Sequence, residues 1–289
     1  MARRSKNDSG AVGCLIIDKP AGCTSHDVVD IARKALQTRR VGHAGTLDPD
    51  ATGVLVLGVG LGTKLLQFIT GASKTYTGEV VFGQETSTLD AGGEVTATHE
   101  MVVRPEAVAA ASVALTGDIL QVPPMVSAIR VGGKRLHELA REGIEVEREA
   151  RPVHVSRFDT EPTDDPLVYR IDVDVSSGTY VRTLAADLGH ELGGGAHLRN
   201  LRRTSVGAFT IEEACSLDAL ELRPITDLVR GMPIINVDET VAQQVKNGRA
   251  LGPSTGSGRL AVAGPDGMLL AVYEVQGGQL KPAKVLIGN

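Results

Sequence analysis

The sequence predicts an α+β protein in which a mixed, mainly antiparallel sheet with flanking helices is followed by a small β-rich C-terminal domain. Segments with strand patterns follow one another without regular helical crossovers, which argues against a doubly wound parallel sheet. The tail at 231–289 has short apolar runs separated by turn sequences such as Pro265-Asp266-Gly267. We therefore divide the chain into a flexible basic N terminus at 1–10, a main domain at 11–230 and the tail domain.

The first half of the main domain is predicted to contain three strands and two helices. The first helix begins at Thr24 or Ser25, because either side chain can cap it and Asp27 completes a capping-box pattern with Thr24. The strand at 76–82 alternates between two faces, as a half-buried strand should. The remaining elements are apolar strands at 13–17 and 54–59 and a short helix at 63–69.

The second half of the main domain is predicted to be richer in helices, which we place at 107–115, 136–141, 179–192 and 217–230. Strands at 153–158 and 168–175 flank an acidic stretch at 159–165, which is interpreted as the solvated loop of a hairpin. The tail is predicted to contain a strand at 234–237, a helix at 239–246 and strands at 260–263, 268–275 and 279–286.

Net charge by itself argues against a nucleic-acid ligand, because 30 basic and 35 acidic residues give −5, whereas RNA-binding domains are commonly basic. The distribution of the basic residues argues the other way. They concentrate at 33–34, 39–40, 130–141 and 199–203, apart from the acidic stretch. Since electrostatic fields are local, this pattern predicts a basic cleft on an acidic protein. Scattered solvating charge is the alternative.

Composition argues against several classes of protein. The basic N terminus is followed by no apolar segment of the kind that a secretory signal needs, and no apolar run has the length of a membrane span. The three cysteines are odd in number and lack C-x-x-C spacing, which favours reduced thiols. The seven histidines lack metal-ligand spacing, and the glycines at 58–62 miss the dinucleotide fingerprint by one residue. We expect a cytoplasmic protein with no membrane association, metal or cofactor.

The segment Gly-His-Ala-Gly-Thr-Leu-Asp-Pro at 42–49 is the strongest candidate for chemistry. It places Asp48 between a glycine-rich bend and Pro49, shortly before the apolar strand at 54–59. Glycines permit a positive φ or a close approach to a ligand, and Pro49 biases Asp48 away from helical conformation. A carboxylate on such a stiff loop suits catalysis, whereas an ordinary surface turn is the alternative for the loop taken alone.

Six motifs occur in order along the chain. They are Asp-Lys-Pro-Ala-Gly-Cys-Thr-Ser at 18–25, the loop at 42–49 with Ala-Thr-Gly-Val-Leu at 51–55, Lys-Thr-Tyr at 74–76, Gln-Val-Pro-Pro-Met-Val-Ser-Ala at 121–128, Ser-Gly-Thr-Tyr-Val-Arg-Thr-Leu at 177–184 and Leu-Arg-Asn-Leu-Arg-Arg-Thr at 198–204. Together they resemble the motifs of the bacterial TruB-type tRNA pseudouridine synthases. The resemblance implies the pseudouridine-synthase fold, with a catalytic domain at 11–230 and a PUA-like RNA-binding domain at 231–289.

The resemblance implies that the protein isomerises uridine 55 in the T-loop (TΨC arm) of tRNA to pseudouridine. Asp48 matches the catalytic carboxylate, Tyr76 matches the tyrosine that stacks on the target base, and Arg182 matches the arginine that pairs with the carboxylate. Such pairing is expected to lower the pKa of Asp48 and to keep it ionised. The target base must leave its stack before these groups can reach it.

Further residues take binding or supporting roles by the same resemblance. His43 matches the histidine that enters the space left by the flipped nucleotide, Tyr180 a tyrosine of the base pocket, and Leu201 an apolar residue that packs on the base. Without the resemblance, Tyr76 and Leu201 would be interpreted as core. The supporting residues are Lys19, Gly45 and Thr46.

Three positions depart from the family pattern. Ser177 stands where many members have Lys, and His137 stands where Tyr is common. Asp50 stands where Leu is usual, and it places a second carboxylate near Asp48. That change is expected to raise the pKa of Asp48 unless Arg182 compensates.

The motifs contain one candidate catalytic acid, which favours isomerisation over hydrolysis. A glycoside hydrolase normally needs two carboxylates, whereas an isomerase retains its uracil and has less need of a dedicated acid. A glycoside or nucleoside hydrolase that uses Asp48 and a tRNA-folding chaperone remain alternatives. We expect a monomer that binds the T arm of tRNA and needs no obligate protein partner.

Overall fold

The computed structural model describes residues 9–127, 129–131 and 133–286. It excludes the side chains of Arg130, Val131, Lys134, Arg135, His137, Glu138 and Arg141. Residues 1–8 of the predicted basic N terminus, Ala128 of the fourth motif and the side chain of His137 therefore lie outside the described residues.

The described residues form strands and helices in frequent alternation. The strands are β1 (Gly13–Lys19), β2 (Val41–His43), β3 (Thr52–Val59), β4 (Lys74–Phe82), β5 (Gln84–Thr86), β6 (Val95–Thr98), β7 (Gly117–Gln121), β8 (Arg130–Val131), β9 (Lys134–Arg135), β10 (Arg151–Pro162), β11 (Val168–Val175), β12 (Ala196–Val206), β13 (Phe209–Thr210), β14 (Ile234–Asn236), β15 (Leu251–Pro253), β16 (Arg259–Ala263), β17 (Leu269–Gln276) and β18 (Gln279–Val285). The helices are α1 (Ser25–Ala35), α2 (Leu66–Thr70), α3 (Pro105–Ala114), α4 (Leu136–Arg141), α5 (Val181–Glu191) and α6 (Glu239–Lys246). Short 3-10 segments lie at Gly60–Lys64, Ile211–Glu213 and Ile225–Val229.

In the described part of the chain, the large domain is built on a nine-stranded sheet. Its main order is β1-β3-β12-β4-β11-β10-β7, with β2 added to β3 and β13 added to β12. The contact between β12 and β3 is parallel, and the other pairs are antiparallel. The prediction of a mixed, mainly antiparallel sheet is therefore confirmed. The first motif lies at the end of β1, the second enters β3, and the third opens β4.

The C-terminal residues form a second sheet of five strands, in the order β14-β16-β17-β18-β15. The predicted small β-rich domain is thus present, while its PUA-like type stays a prediction. This sheet contacts the large domain near α2. Lys64 donates a hydrogen bond to the carbonyl oxygen of Leu286 at 2.7 Å, and the Arg259 guanidinium lies 5.2 Å from the centre of the Phe68 ring.

Local sequence signals account for several elements. The capping box that begins α1 is confirmed, because Thr24 Oγ1 accepts from the Asp27 amide at 3.1 Å while Asp27 Oδ2 accepts from the Thr24 amide at 2.8 Å. In β4, buried and half-buried residues alternate along the strand, which places Tyr76, Val80 and Phe82 on the core side. The predicted hairpin is also confirmed, with Phe158 opposite Val173.

Three element predictions are wrong, and a central strand was missed. The central strand β12 was not predicted, because two irregularities in its pairing with β4 break the alternation of buried residues. Residues 159–162 belong to β10 and not to a loop, since Asp159 pairs in register with Asp172 and both carboxylates contact Arg157. The short helix predicted at 63–69 is divided between a 3-10 segment and α2.

The helix predicted at 217–230 is also wrong, because only Ile225–Val229 forms a 3-10 segment there. The chain preceding it runs beside β1. Arg223 and Cys14 exchange backbone hydrogen bonds of 2.9 and 3.0 Å, and the Asp18 amide donates to the Cys215 carbonyl at 2.9 Å. These contacts cover the edge of β1, where unpaired backbone groups would otherwise face solvent.

No helix among the described residues has both the length and the apolarity that a membrane span requires.

Candidate active site

A cavity of about 270 Å³ opens at the point where the loop 45–48, strand β4 and the start of α5 meet. Its lining includes the predicted residues Gly45, Thr46, Asp48, Tyr76, Tyr180, Arg182 and Leu201. The structure therefore brings together seven predicted residues that lie up to 156 positions apart in the chain. His43 and Lys19 are outside this lining, although Lys19 contacts the loop through the Pro49 carbonyl.

Asp48 and Arg182 form an ion pair at the floor of this cavity. Arg182 Nε lies 3.0 Å from Asp48 Oδ2, and the side chains are 5% and 41% exposed. The two other guanidinium nitrogens donate to the carbonyl oxygens of Thr88 and Val126, both at 2.8 Å. Asp90 Oδ2 lies 3.5 Å from Arg182. Arg182 is therefore held on every side, which fixes the orientation of the carboxylate that it contacts.

The pKa of Asp48 is raised above its usual value, contrary to the lowering expected from Arg182 alone. Burial of the carboxylate is the main cause, and it outweighs the opposite effect of the Arg182 charge. The charges of Asp90 and Asp50 raise the pKa further, so the expected effect of Asp50 has the predicted sign. Because one face of the side chain remains open to solvent, the carboxylate stays accessible to a ligand in the cavity.

Two fully buried cations hold the loop that carries Asp48. Lys19 Nζ donates to the carbonyl oxygens of Pro20, Cys23 and Pro49 at 2.9, 2.7 and 2.8 Å. Arg203 donates to the carbonyl oxygens of Val54, Thr46 and Gly45 at 2.7, 3.3 and 3.2 Å. The loop backbone is thus tied on one side to β1 and on the other to β12. Arg203 was missed as a site residue, although it lies within the last of the six motifs.

Close packing between β3 and β12 requires glycine at position 53. Gly53 has a φ of +101°, and a Cβ atom there would lie 2.1 Å from the carbonyl oxygen of Arg203. The glycine that the motif places after Asp48 therefore allows Arg203 to pass directly beneath the loop.

A bulge in β12 turns Leu201 into the cavity. Asn200 has a φ of +54°, which is unusual for a residue with a side chain. The pairing with β4 skips from Arg199 to Arg202 at this point, so Leu201 leaves the regular alternation. Bulges commonly re-aim side chains beside active sites. Leu201 is half-buried there and faces the same cavity as Tyr76.

Gln121 holds Tyr180 in place at the start of α5. Its side-chain amide accepts from the Tyr180 N–H at 2.7 Å and donates to the Tyr180 carbonyl at 3.1 Å. Gln121 is 2% exposed, so this contact excludes solvent. The pair of hydrogen bonds sets the backbone from which both Tyr180 and Arg182 extend.

Replacing Gln121 with Leu should lower the free energy of unfolding by about 2 kcal/mol, because the Tyr180 N–H loses its partner and the Tyr180 carbonyl keeps only the bond from the Leu184 amide. Urea denaturation of the two proteins would measure this change. Gln67→Leu, at an exposed position on α2, is the control and should change stability by less than about 0.5 kcal/mol. Equal effects of the two substitutions would contradict the role given to Gln121.

Lys74 also lines this cavity, and it was assigned no role from the sequence. Its Nζ donates to the carbonyl oxygens of Thr70 and Ala72 at 3.2 and 3.0 Å, and burial lowers its pKa to about 8. Ser177, which stands where the resemblance implies a lysine, donates to the same Thr70 carbonyl at 2.8 Å. The hydroxyl therefore links the end of α2 to the loop before α5 without adding charge.

His43 lies on β2 opposite Leu57 and is half-buried. Burial lowers its pKa, which favours the neutral imidazole. Among the described residues, no hydrogen-bond partner reaches its buried Nδ1 atom.

The arginines at 199–203, which belong to the predicted basic cleft, are already engaged within the fold. Arg199 pairs with Glu79 at 2.6 Å, Arg202 pairs with Asp18 at 2.8 Å, and Arg203 is fully buried. The basic side chains at 130–135 and 141 lie outside the described residues. In the part of the chain that is described, no group of three or more His, Cys, Asp or Glu side chains is arranged to hold a metal ion.

Comparison with known families matches nearly the whole chain. Residues 33–181 match the model described as TruB family pseudouridylate synthase (N terminal domain). This chain belongs to the TruB family of pseudouridylate synthases. Residues 182–226 and 232–287 match models described as tRNA pseudouridylate synthase B C-terminal domain and tRNA Pseudouridine synthase II, C terminal. The predicted family and the predicted enzyme class, an isomerase, are confirmed.

Relatives of this TruB-family protein cover almost its full length. A protein named tRNA pseudouridine synthase B from Mycobacterium ulcerans is 45% identical, over 99% of this chain and 98% of its own. One of the same name from Corynebacterium aurimucosum is 47% identical, over 93% of this chain and 94% of its own.

Solved structures support the fold of the TruB-family chain. The protein in a structure titled Crystal Structure of a Cbf5-Nop10-Gar1 Complex is 23% identical, with a TM-score of 0.72, and the match covers 99% of this chain and 88% of that one. The predicted pseudouridine-synthase fold is confirmed.

Proposed function

We propose that this protein converts uridine 55 in the T arm of tRNA to pseudouridine and that Asp48 is its catalytic carboxylate. The observation that carries the proposal is the half-exposed Asp48 carboxylate, held 3.0 Å from the buried Arg182 at the floor of a cavity lined by Tyr76 and Leu201. Relatives that are 45–47% identical bear the name tRNA pseudouridine synthase B.

The reaction breaks the C1′–N1 bond of the uridine, turns the uracil and forms a C1′–C5 bond, while the C5 proton is lost and N1 gains a proton. The uridine first leaves its stack, at a cost of a few kcal/mol. Tyr76 and Leu201 then pack on the base, and Tyr180 closes the cavity beside it. A carboxylate suits a nucleophile or a base near the ribose. As a nucleophile, Asp48 would attack C1′ or the uracil ring. As a proton acceptor, it would remove the C2′ proton.

The remaining predicted residues act on the RNA or on the loop. His43 is proposed to enter the space that the flipped nucleotide leaves. Lys19 supports the loop through its bond to Pro49, and Gly45 and Thr46 accept the bonds from Arg203 that fix the loop from below. We propose that the protein is a cytoplasmic monomer that needs no obligate protein partner.

Phosphate contacts are proposed at the junction of the two domains. Burial lowers the pKa of Lys64, and the charges of Lys284 and Arg40 lower it further, so these three cations act on one another at this junction. Contacts of this kind position a nucleic acid without reading its sequence.

The proposal is tested by incubating the protein with an unmodified tRNA transcript and mapping pseudouridine at single-nucleotide resolution. The wild-type protein is expected to form pseudouridine at uridine 55 alone, and Asp48→Ala is expected to form none. Release of free uracil would instead identify a hydrolase. A protein that improves tRNA folding without forming product, with or without Asp48, would be a chaperone.

The acid side of the pH profile should report the raised pKa of Asp48. Below that pKa the carboxylate is protonated and inactive, so kcat/KM should fall at a higher pH than for an ordinary aspartate. In Asp90→Asn, kcat/KM should fall at a lower pH than in the wild type. The substitution removes a like charge, and Arg182 then pairs with Asp48 alone, so the pKa of Asp48 should decrease. The measurement is kcat/KM from about pH 4 to 8, with Asp164→Asn on a remote loop as control. A fall that stays in place or moves to higher pH in Asp90→Asn would contradict this assignment.

A further inference from the structure

A second cavity, of about 290 Å³, lies on the other side of the ion pair between Asp48 and Arg182. The two cavities share these two residues and Leu201. The walls of the second cavity are the loop 48–51, the turn 90–92 and residues 198–201 of β12. A cavity of about 150 Å³ holds a benzene ring, so each of the two has room for one nucleobase.

The second cavity is kept open beside Asp50 by a glycine. A Cβ atom at Gly92 would lie 3.1 Å from Asp50 Oδ2 and 3.3 Å from Asp90 Oδ1. Any larger residue at position 92 would therefore occupy the space next to both carboxylates.

The walls of this cavity offer hydrogen-bond acceptors together with apolar surface. Asp90 is already engaged, since its Oδ1 accepts from Thr88 Oγ1 at 2.6 Å and from the Gly92 amide at 3.1 Å. Asp50 is exposed and, within the described part of the chain, has no hydrogen bond or ion pair. Leu198 and Leu201 supply the apolar wall.

The cations of the second cavity are committed elsewhere. Arg199 pairs with Glu79 at 2.6 Å, and Arg182 contacts Asp48 and two carbonyl oxygens. A phosphate would therefore be repelled by the Asp50 carboxylate, and no described lining residue offers a free cation to compensate. A base that presents N–H groups suits the site better, because carboxylates accept from the exocyclic amines of bases.

We propose that the second cavity receives the nucleobase adjacent to the target uridine and that Asp50 selects a base with an exocyclic amino group. This inference rests on the proposed function. Bases in RNA loops can be splayed apart and read along their edges, and the shared wall brings neighbouring bases within reach of both cavities. The cytosine, adenine or guanine amine donates to Asp50, whereas uracil has a carbonyl oxygen at the position of the cytosine amine, where the carboxylate repels it.

The test compares kcat/KM for stem-loop RNAs in which the nucleotide on the 5′ or the 3′ side of the target is cytidine or uridine. At one of the two sides, the wild-type protein should prefer cytidine about tenfold, the effect of one hydrogen bond to a charged group. Asp50→Asn should reduce this ratio to about one, because an amide can donate to uracil as well as accept from cytosine. Using a ratio within each variant removes any effect of Asp50 on the reactivity of Asp48.

Asp164→Asn, on the exposed loop between β10 and β11, is the matched control and should keep the wild-type ratio. Thermal unfolding of each variant checks that the fold is retained. Product formation with equal rates on all RNAs, or an unchanged ratio in Asp50→Asn, would overturn the inference and leave the proposed function standing. Absence of pseudouridine in every RNA with the wild-type protein would overturn both.

Discussion

Arg182→Met should reduce the rate of pseudouridine formation by about 10³-fold, the effect of removing a preorganised electrostatic contact from an active site. Met replaces the aliphatic part of the side chain but removes the guanidinium and its charge. Asp48 would then face the charges of Asp90 and Asp50 with only the weaker effect of Lys19 to offset them, so its pKa should rise further. The carbonyl oxygens of Thr88 and Val126 would lose their donor as well. Single-turnover kinetics with saturating protein measure the loss without interference from binding.

Two control variants separate charge from packing at position 182. Arg182→Lys keeps the charge, but a single ammonium cannot reach all three acceptors that the guanidinium contacts through separate nitrogens. The activity of Arg182→Lys should therefore lie between those of the wild type and Arg182→Met. Arg170→Met removes an exposed arginine that pairs with Glu161 at 3.2 Å on the far side of the sheet, and its rate should match that of the wild type. If Arg182→Met kept a tenth of the wild-type rate, the ion pair would not have the role assigned here.

Arg203→Met should have the largest effect on stability, with a loss of about 3–5 kcal/mol, because removing a buried charged donor leaves its partners without hydrogen bonds. Arg203 is fully buried, and its guanidinium donates to three carbonyl oxygens of the loop and of β3. Loss of these bonds should also loosen Gly45 and Thr46. Urea denaturation measures the change in the free energy of unfolding, and hydrogen exchange measures the opening of the loop.

Arg202→Met is the matched control, since it changes the preceding residue of the same strand. Arg202 pairs with Asp18 at 2.8 Å, but both side chains are more than a third exposed. Exposed ion pairs contribute about 0–1 kcal/mol, so this variant should lose little stability. A difference of less than 1 kcal/mol between the two variants would show that the buried arginine does not hold the loop.

Elements with strong local signals could be predicted because their causes lie within a few residues. The capping box at Thr24 and Asp27 needs only one turn of backbone. The alternation of β4 reports which side of the strand faces the core. The loop around Asp48 combines glycines with Pro49, whose restrictions on φ act locally. The seven residues in the cavity were predicted because short motifs carry them, and each motif is continuous in sequence.

Other features could not be predicted because their causes are distant in sequence. The strand β12 alternates poorly, since the bulge at Asn200 shifts its register against β4. The segment at 217–230 has a helical pattern of apolar residues, but its backbone pairs with β1, more than 190 residues earlier. Arg203 looks like one of several surface arginines until its three acceptors, at positions 45, 46 and 54, are in place.

By itself, the sequence determined the family, the mainly antiparallel sheet and the set of residues that meet around Asp48, because these follow from local backbone preferences and from continuous motifs. Only the tertiary structure decided that burial raises the pKa of Asp48 despite Arg182, that Arg203 holds the loop, and that a second cavity adjoins the first at Asp50. The physical reason is that desolvation and hydrogen-bond satisfaction depend on which distant groups exclude water from a site.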